Sequence, residues 1–196
     1  MCNGHSEIAE MLMENSSKLQ IDLNVKDSKG KTAFYLACWK GHSVIAEMIL
    51  KNSSRLNINL YGKDYIGRTT FHIACWNGHS VSAEMIMKNS SILNIDLNSK
   101  DYNGGTAFHL ACQKGHSEIA EMIMNNSSKL QLDLNIKDRW GYTAFHQACM
   151  FNNIKTVDLM IERSESFDID LKAKDNNPFQ KNCYGHSLVV DLAYPN

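Results

Sequence analysis

Proline is nearly absent from this chain, with 2 residues in 196, beside 11 glycines. So few punctuators exclude a Pro-rich linker or a loop-dominated fold, and they place most of the chain in regular elements joined by short turns. Charge of one sign is also lacking. Lys and Arg number 20 against 21 Asp and Glu, a net of -1, which removes global attraction to nucleic acid or membrane and leaves only local patches. No run approaches the roughly 18 apolar residues of a membrane span, and the opening MCNGHSEIAE has neither the basic n-region nor the apolar core of a signal peptide. The expectation is a cytoplasmic, or alternatively nuclear, protein without membrane insertion. Its six cysteines then read as reduced thiols rather than three disulfides. A Walker-type loop, a zinc-protease helix and a nucleophile elbow are all missing. No enzyme, no cofactor and no small-molecule substrate are therefore expected.

What is present is repetition. KDSKGKTAFYLACWKGHSVIAEMIL from Lys26 recurs as KDYIGRTTFHIACWNGHSVSAEMIM from Lys63, as KDYNGGTAFHLACQKGHSEIAEMIM from Lys100 and, more loosely, as KDRWGYTAFHQACMFNNIKTVDLMI from Lys137, a period of 37 residues. A fixed period in this range marks a solenoid, in which each unit buries its apolar face against its neighbours. The division is a single domain: a partial unit over 1–25, full units over 26–62, 63–99, 100–136 and 137–173, and a degenerate partial unit over 174–196.

Each unit reads alike. A Lys-Asp-x-x-Gly turn leads to Thr32, Thr69, Thr106 or Thr143, residues suited to an N-cap. A short helix follows, with Phe108, Leu110 and Ala111 as its apolar residues in the third unit, and Gly115 ends it. Ser117 can cap a second helix in which Ile119, Ala120, Met122 and Ile123 recur at helical spacing and Glu118 and Glu121 face solvent. Asn126-Ser127-Ser128 stops that helix, and Leu130, Leu132 and Leu134 alternate with polar residues as an extended arm. The overall class is all-α, a solenoid of stacked helix-turn-helix units with projecting hairpin fingers.

The stretch TAFHLACQKGH, Thr106 to His116, resembles the core signature of the ankyrin repeat, and the resemblance covers nearly the whole chain. It implies stacked helix pairs, fingers and a concave binding face. It also implies that His72, His109 and His146 hydrogen-bond a neighbouring turn, and that Cys38, Cys75, Cys112 and Cys149 fill a small packed position. The chain departs from the family in two respects. Ala33, Thr70, Ala107 and Ala144 stand where the family has proline, and the period exceeds the family's roughly 33 residues. The extra four residues fall around 53–57 and their equivalents, predicting a longer connection after the second helix. The ends look like those of a fragment of a longer array.

His109, Cys112 and His116 at i, i+3 and i+7 would suit a zinc site or a Cys/His nucleophile if one helix carried them. The repeat frame absorbs them as packing instead, and no metal is expected. Asn15, Asn52, Asn89 and Asn126 each open an Asn-Ser-Ser sequon, read here as helix C-caps. The Met-rich second helices, with Met85 and Met87, read as core.

If the frame is structural, function belongs where the copies differ. The resemblance places contact positions at Ser28, Lys29, Lys31, Trp39 and Lys40, then Tyr65, Ile66, Arg68, Trp76 and Asn77. The third unit supplies Tyr102, Asn103, Gly105, Gln113 and Lys114, and the fourth Arg139, Trp140, Tyr142, Met150 and Phe151. All three tryptophans fall in this set, with six basic residues and no acid, whereas Glu47, Glu84, Glu118, Glu121 and Asp158 lie on second helices. The array is expected to be electrically two-sided, a monomeric, non-enzymatic scaffold or adaptor that binds an acidic protein partner on its aromatic and basic face. Single-stranded nucleic acid on the same face, and a purely structural segment without a ligand, remain as alternatives.

Overall fold

A computed structural model describes residues 3–93 and 95–176. The expected degenerate unit therefore lies, from residue 177 on, outside the described residues. Nine helices are present among the described residues: α1 (Asn3–Leu19), α2 (Ala33–Lys40), α3 (Ser43–Asn52), α4 (Thr70–Asn77), α5 (Ser80–Leu93), α6 (Ala107–Lys114), α7 (Ser117–Leu130), α8 (Ala144–Met150) and α9 (Ile154–Glu162). The short helices α2, α4, α6 and α8 pack in one row, and α1, α3, α5, α7 and α9 pack in a second. The fold is an all-helical solenoid, as the repeat predicts.

Local chemistry explains why each short helix begins and ends where it does. Thr32, Thr69, Thr106 and Thr143 stand at the N-cap in extended backbone, and the Thr32 hydroxyl accepts from the Tyr35 N–H at 3.2 Å. Gly41, Gly78 and Gly115 stop the helices at φ 71°, 76° and 72°, a left-handed conformation that an L side chain resists. A side chain is also excluded by space: a Cβ on Gly78 would lie 2.6 Å from the His116 ring.

Phe34, Phe71, Phe108 and Phe145 are buried between the rows, together with Ala74, Cys75, Ala111 and Cys112. The small Ala-Cys pairs let neighbouring helices approach, while each Phe fills the space beneath. Truncating one such Phe to Ala costs about 3–5 kcal/mol in a packed core.

The second helices differ from expectation. Asn-Ser-Ser does not end them. α5 and α7 run through Asn89 and Asn126 to Leu93 and Leu130, and Asn15 lies inside α1; only Asn52 closes its helix. The asparagine amides bond backwards, Asn126 Nδ2 donating to the Met122 carbonyl at 2.8 Å and Asn89 Nδ2 to that of Met85 at 2.8 Å. Buried Ser127 donates from Oγ to the Met124 carbonyl at 2.7 Å. The turn comes later, at Gln131 (φ 53°), where the Leu132 N–H reaches back to the Ser127 carbonyl at 2.8 Å. The same device recurs at Gln20, Asn57 and Asp168. In α5 and α7 the four extra residues of each period thus form about one more helical turn instead of a longer connection. Leu130 is consequently helical rather than part of an extended arm. Ser117 is the first residue of α7 and makes no cap; His116 holds the N-cap position without a side-chain capping bond to the helix.

Candidate partner-binding face

Every finger is built around an aspartate. Asp27 Oδ1 accepts from the N–H groups of Lys29 and Lys31 at 2.9 Å, and the turn closes with the Asp27 N–H on the Lys31 carbonyl at 3.0 Å. The bond from the Lys31 amide is the largest influence holding the Asp27 carboxyl below its usual range. Asp64, Asp101 and Asp138 repeat the arrangement and are buried. Successive fingers are bonded to each other. The N–H of Tyr65 donates to Lys29, that of Tyr102 to Ile66 and that of Arg139 to Asn103, at 3.1, 3.1 and 2.9 Å. The fingertips thus form a ladder of fixed pitch.

Histidine joins the fingers to the helices. His72 Nδ1 accepts from the Thr69 N–H at 3.2 Å, which leaves the proton on Nε2, and Nε2 donates to the Gly105 carbonyl of the next finger at 3.2 Å. His109 does the same with Thr106 and the Tyr142 carbonyl. Burial pushes the His72 pKa down to about 4 and lowers that of His109. Unit one carries Tyr35 at this position, and its hydroxyl donates to Asp64 Oδ2 at 2.5 Å.

A second histidine set bonds in the other direction. His79 Nε2 donates to the Trp39 carbonyl and His116 Nε2 to that of Trp76, each at 3.1 Å. His116 therefore lies beyond the end of α6, and the stripe of His109, Cys112 and His116 does not exist as one helix face. Cys38, Cys75 and Cys112 are buried, and burial raises each thiol pKa, Cys38 to about 12. Cys149 is only half-buried. Among the described residues no group of three or more His, Cys, Asp and Glu is placed to hold a metal ion.

The structure divides the residues singled out from the sequence. Lys29, Lys40, Tyr65, Tyr102, Asn103, Lys114, Arg139, Trp140, Met150 and Phe151 are exposed, Tyr102 at 71% and Tyr65 at 64%. Lys31, Ile66, Arg68, Asn77 and Gln113 are half-buried, as are Trp39 and Trp76, so these two tryptophans are not free surface side chains. Tyr142 is 9% exposed and Gly105 is buried. Their neighbours leave neither accessible, a difference the period alone does not encode.

The basic side chains are organised by the indoles. Lys31 Nζ lies 3.6 Å and Lys40 Nζ 4.7 Å from the Trp39 ring centroid. Arg68 Cζ lies 4.5 Å and Lys114 Nζ 3.9 Å from that of Trp76, and Arg139 Cζ 4.1 Å from that of Trp140. Lys114 reaches Trp76 from the following unit, a pairing the sequence analysis missed; its only signal is that Lys114 shares a column with Lys40. Arg68 Nε stands 3.6 Å from Asp101 Oδ2 and has no hydrogen-bond partner.

The opposite side is less acidic than expected. Glu47 pairs with Lys51, Glu84 with Lys88 and Glu121 with Arg163, at 2.8, 2.7 and 2.6 Å. Such exposed pairs contribute about 0–1 kcal/mol each. They also cancel much of the acid charge on which the two-sided picture rested.

A solenoid of helix pairs, with hydrogen-bonded fingers beside the ends of its short helices, is the architecture of a repeat interaction protein. Comparison with known families agrees: residues 92–146 match ankyrin repeats in many copies, and residues 140–170 match the ankyrin repeat. Residues 92–170 thus carry ankyrin repeats, which generally mediate protein–protein interaction. No curated protein gives a significant match. Among the described residues no helix is long and apolar enough to cross a membrane.

Proposed function

We propose that this protein is a non-catalytic interaction module that binds an acidic protein partner across its fingertips and the C-terminal ends of its short helices. The observation that carries the reading is the coincidence of exposed aromatic and basic side chains, with Tyr65, Tyr102, Trp140, Lys29 and Arg139 on one hydrogen-bonded ladder of fingers and Lys40 and Lys114 at the ends of α2 and α6. Aromatic and Arg residues are the usual anchors of interfaces, and a basic rim steers and selects an acidic partner. Asp101 pairs with Arg68 at 3.6 Å and offsets that cation, so the basic character of the face rests on the exposed Lys29, Lys40, Lys114 and Arg139.

Site-specific photocrosslinking tests the reading. A benzophenone side chain at Tyr102 should capture the partner, and one at Lys88 on α5 should not. Capture from Lys88 with none from Tyr102 would place the interface on the other side and refute the proposal.

A further inference from the structure

Trp39 and Trp76 do not present bare rings. Each is half-buried and carries two cations, Lys31 and Lys40 on Trp39, Arg68 and Lys114 on Trp76. The negative face of an indole attracts a cation held above it. A long side chain already restrained in this way loses less rotamer freedom when a ligand binds it. The two tryptophans are therefore platforms that hold cations in place, not anchors inserted into a partner.

We infer that the ligand of these platforms is an extended acidic segment whose carboxylates recur at every third residue, one for each tryptophan-mounted cation pair. This rests on the finger face being the partner-binding face. The spacing comes from the ladder. One unit advances by two backbone steps, the first within a finger, from the Asp64 N–H to the Arg68 carbonyl, and the second between fingers, from the Tyr65 N–H to the Lys29 carbonyl. Two steps of about 4.8 Å make about 10 Å, which agrees with the 8–10 Å between packed helices. An extended chain in the polyproline-II conformation rises about 3.1 Å per residue with three residues per turn, so side chains three positions apart share one face and lie about 9 Å apart. A carboxylate at every third position thus keeps register with the Trp39 and Trp76 stacks, and carboxylates clustered on adjacent residues do not.

The test uses two fluorescein-labelled peptide probes of equal length and composition. The spaced probe is four Glu-Gly-Ser triplets in tandem; the block probe has its four glutamates consecutive, followed by alternating Gly and Ser. Anisotropy is read at about 20 mM salt, where screening is weak. The spaced probe should bind at least ~5-fold tighter than the block. Lys31→Gln and Lys114→Gln should each remove most of that preference and flatten the salt dependence. Trp76→Phe should retain the preference, because the platform survives, and Trp76→Leu should lose it. Circular dichroism melting shows whether each variant is folded, and the two lysine variants keep the test decisive if Trp76→Leu is not. Equal or tighter binding of the block overturns the inference. So does failure of both probes to bind, or tighter binding of an oligothymidine of the same length than of either peptide. A lost spacing preference with crosslinks still at Tyr102 sinks this inference alone, whereas crosslinks at Lys88 sink the functional reading beneath it.

Discussion

Lowering the pH from 6.5 to 5 perturbs the buried histidines that tie each short helix to the next finger. His72 is 1% exposed, and burial lowers its pKa to about 4. In the unfolded chain the same imidazole titrates near its ordinary 6.5. Between these values the unfolded state binds a proton that the folded state refuses, so stability falls as pH falls. Above about pH 7.5, where the unfolded imidazole has also lost its proton, this contribution is constant. At about 1.36 kcal/mol per pH unit, His72 alone removes about 2 kcal/mol between pH 6.5 and 5. His109 acts in the same direction. Asp27, with its lowered pKa, loses its contribution only below the usual carboxylate range and leaves this window clear. Urea unfolding at pH 7.5, 6.5, 5.75 and 5 measures the slope, and His72→Gln should reduce the drop between pH 6.5 and 5 by about 2 kcal/mol. A variant whose pH slope equals that of the parent, or a parent that gains stability on acidification, would refute the argument.

Three further outcomes follow from the packing. Thr156 is 1% exposed and its hydroxyl has no partner, so the near-isosteric Thr156→Val should raise stability by about 1 kcal/mol in urea unfolding. Gln131 closes α7 at φ 53°, where an L side chain costs about 1–2 kcal/mol; Gln131→Gly should recover up to about 1 kcal/mol, since glycine's greater unfolded freedom offsets part of the gain. Iodoacetamide should modify Cys149 first among the four described thiols under native conditions and leave Cys38, Cys75 and Cys112 until unfolding, read by peptide mass spectrometry, because burial raises all four thiol pKa values but only Cys149 is partly exposed.

The sequence by itself determined the unit. A 37-residue period, a threonine before each short helix and a glycine after three of them are local signals, and each stands in the structure where the pattern put it, because caps and turns are set by residues within a few positions of one another. The buried Phe and Ala-Cys positions were legible for a related reason, since a helical period records which side of a helix is covered. The tertiary structure decided what neighbouring units do to each other. Asn-Ser-Ser is equally a helix stop and a helix turn until the serine hydroxyl and the asparagine amide find carbonyls behind them, as Ser127 and Asn126 do. Arg68 and Tyr142 share a column of the repeat, yet Arg68 is half-buried and Tyr142 is 9% exposed. The stacking of Lys114 on Trp76 joins residues a whole unit apart. A period assigns each residue to a column, but the direction in which its side chain leans depends on the shape and charge of the adjacent unit, and those contacts exist only once the units have stacked.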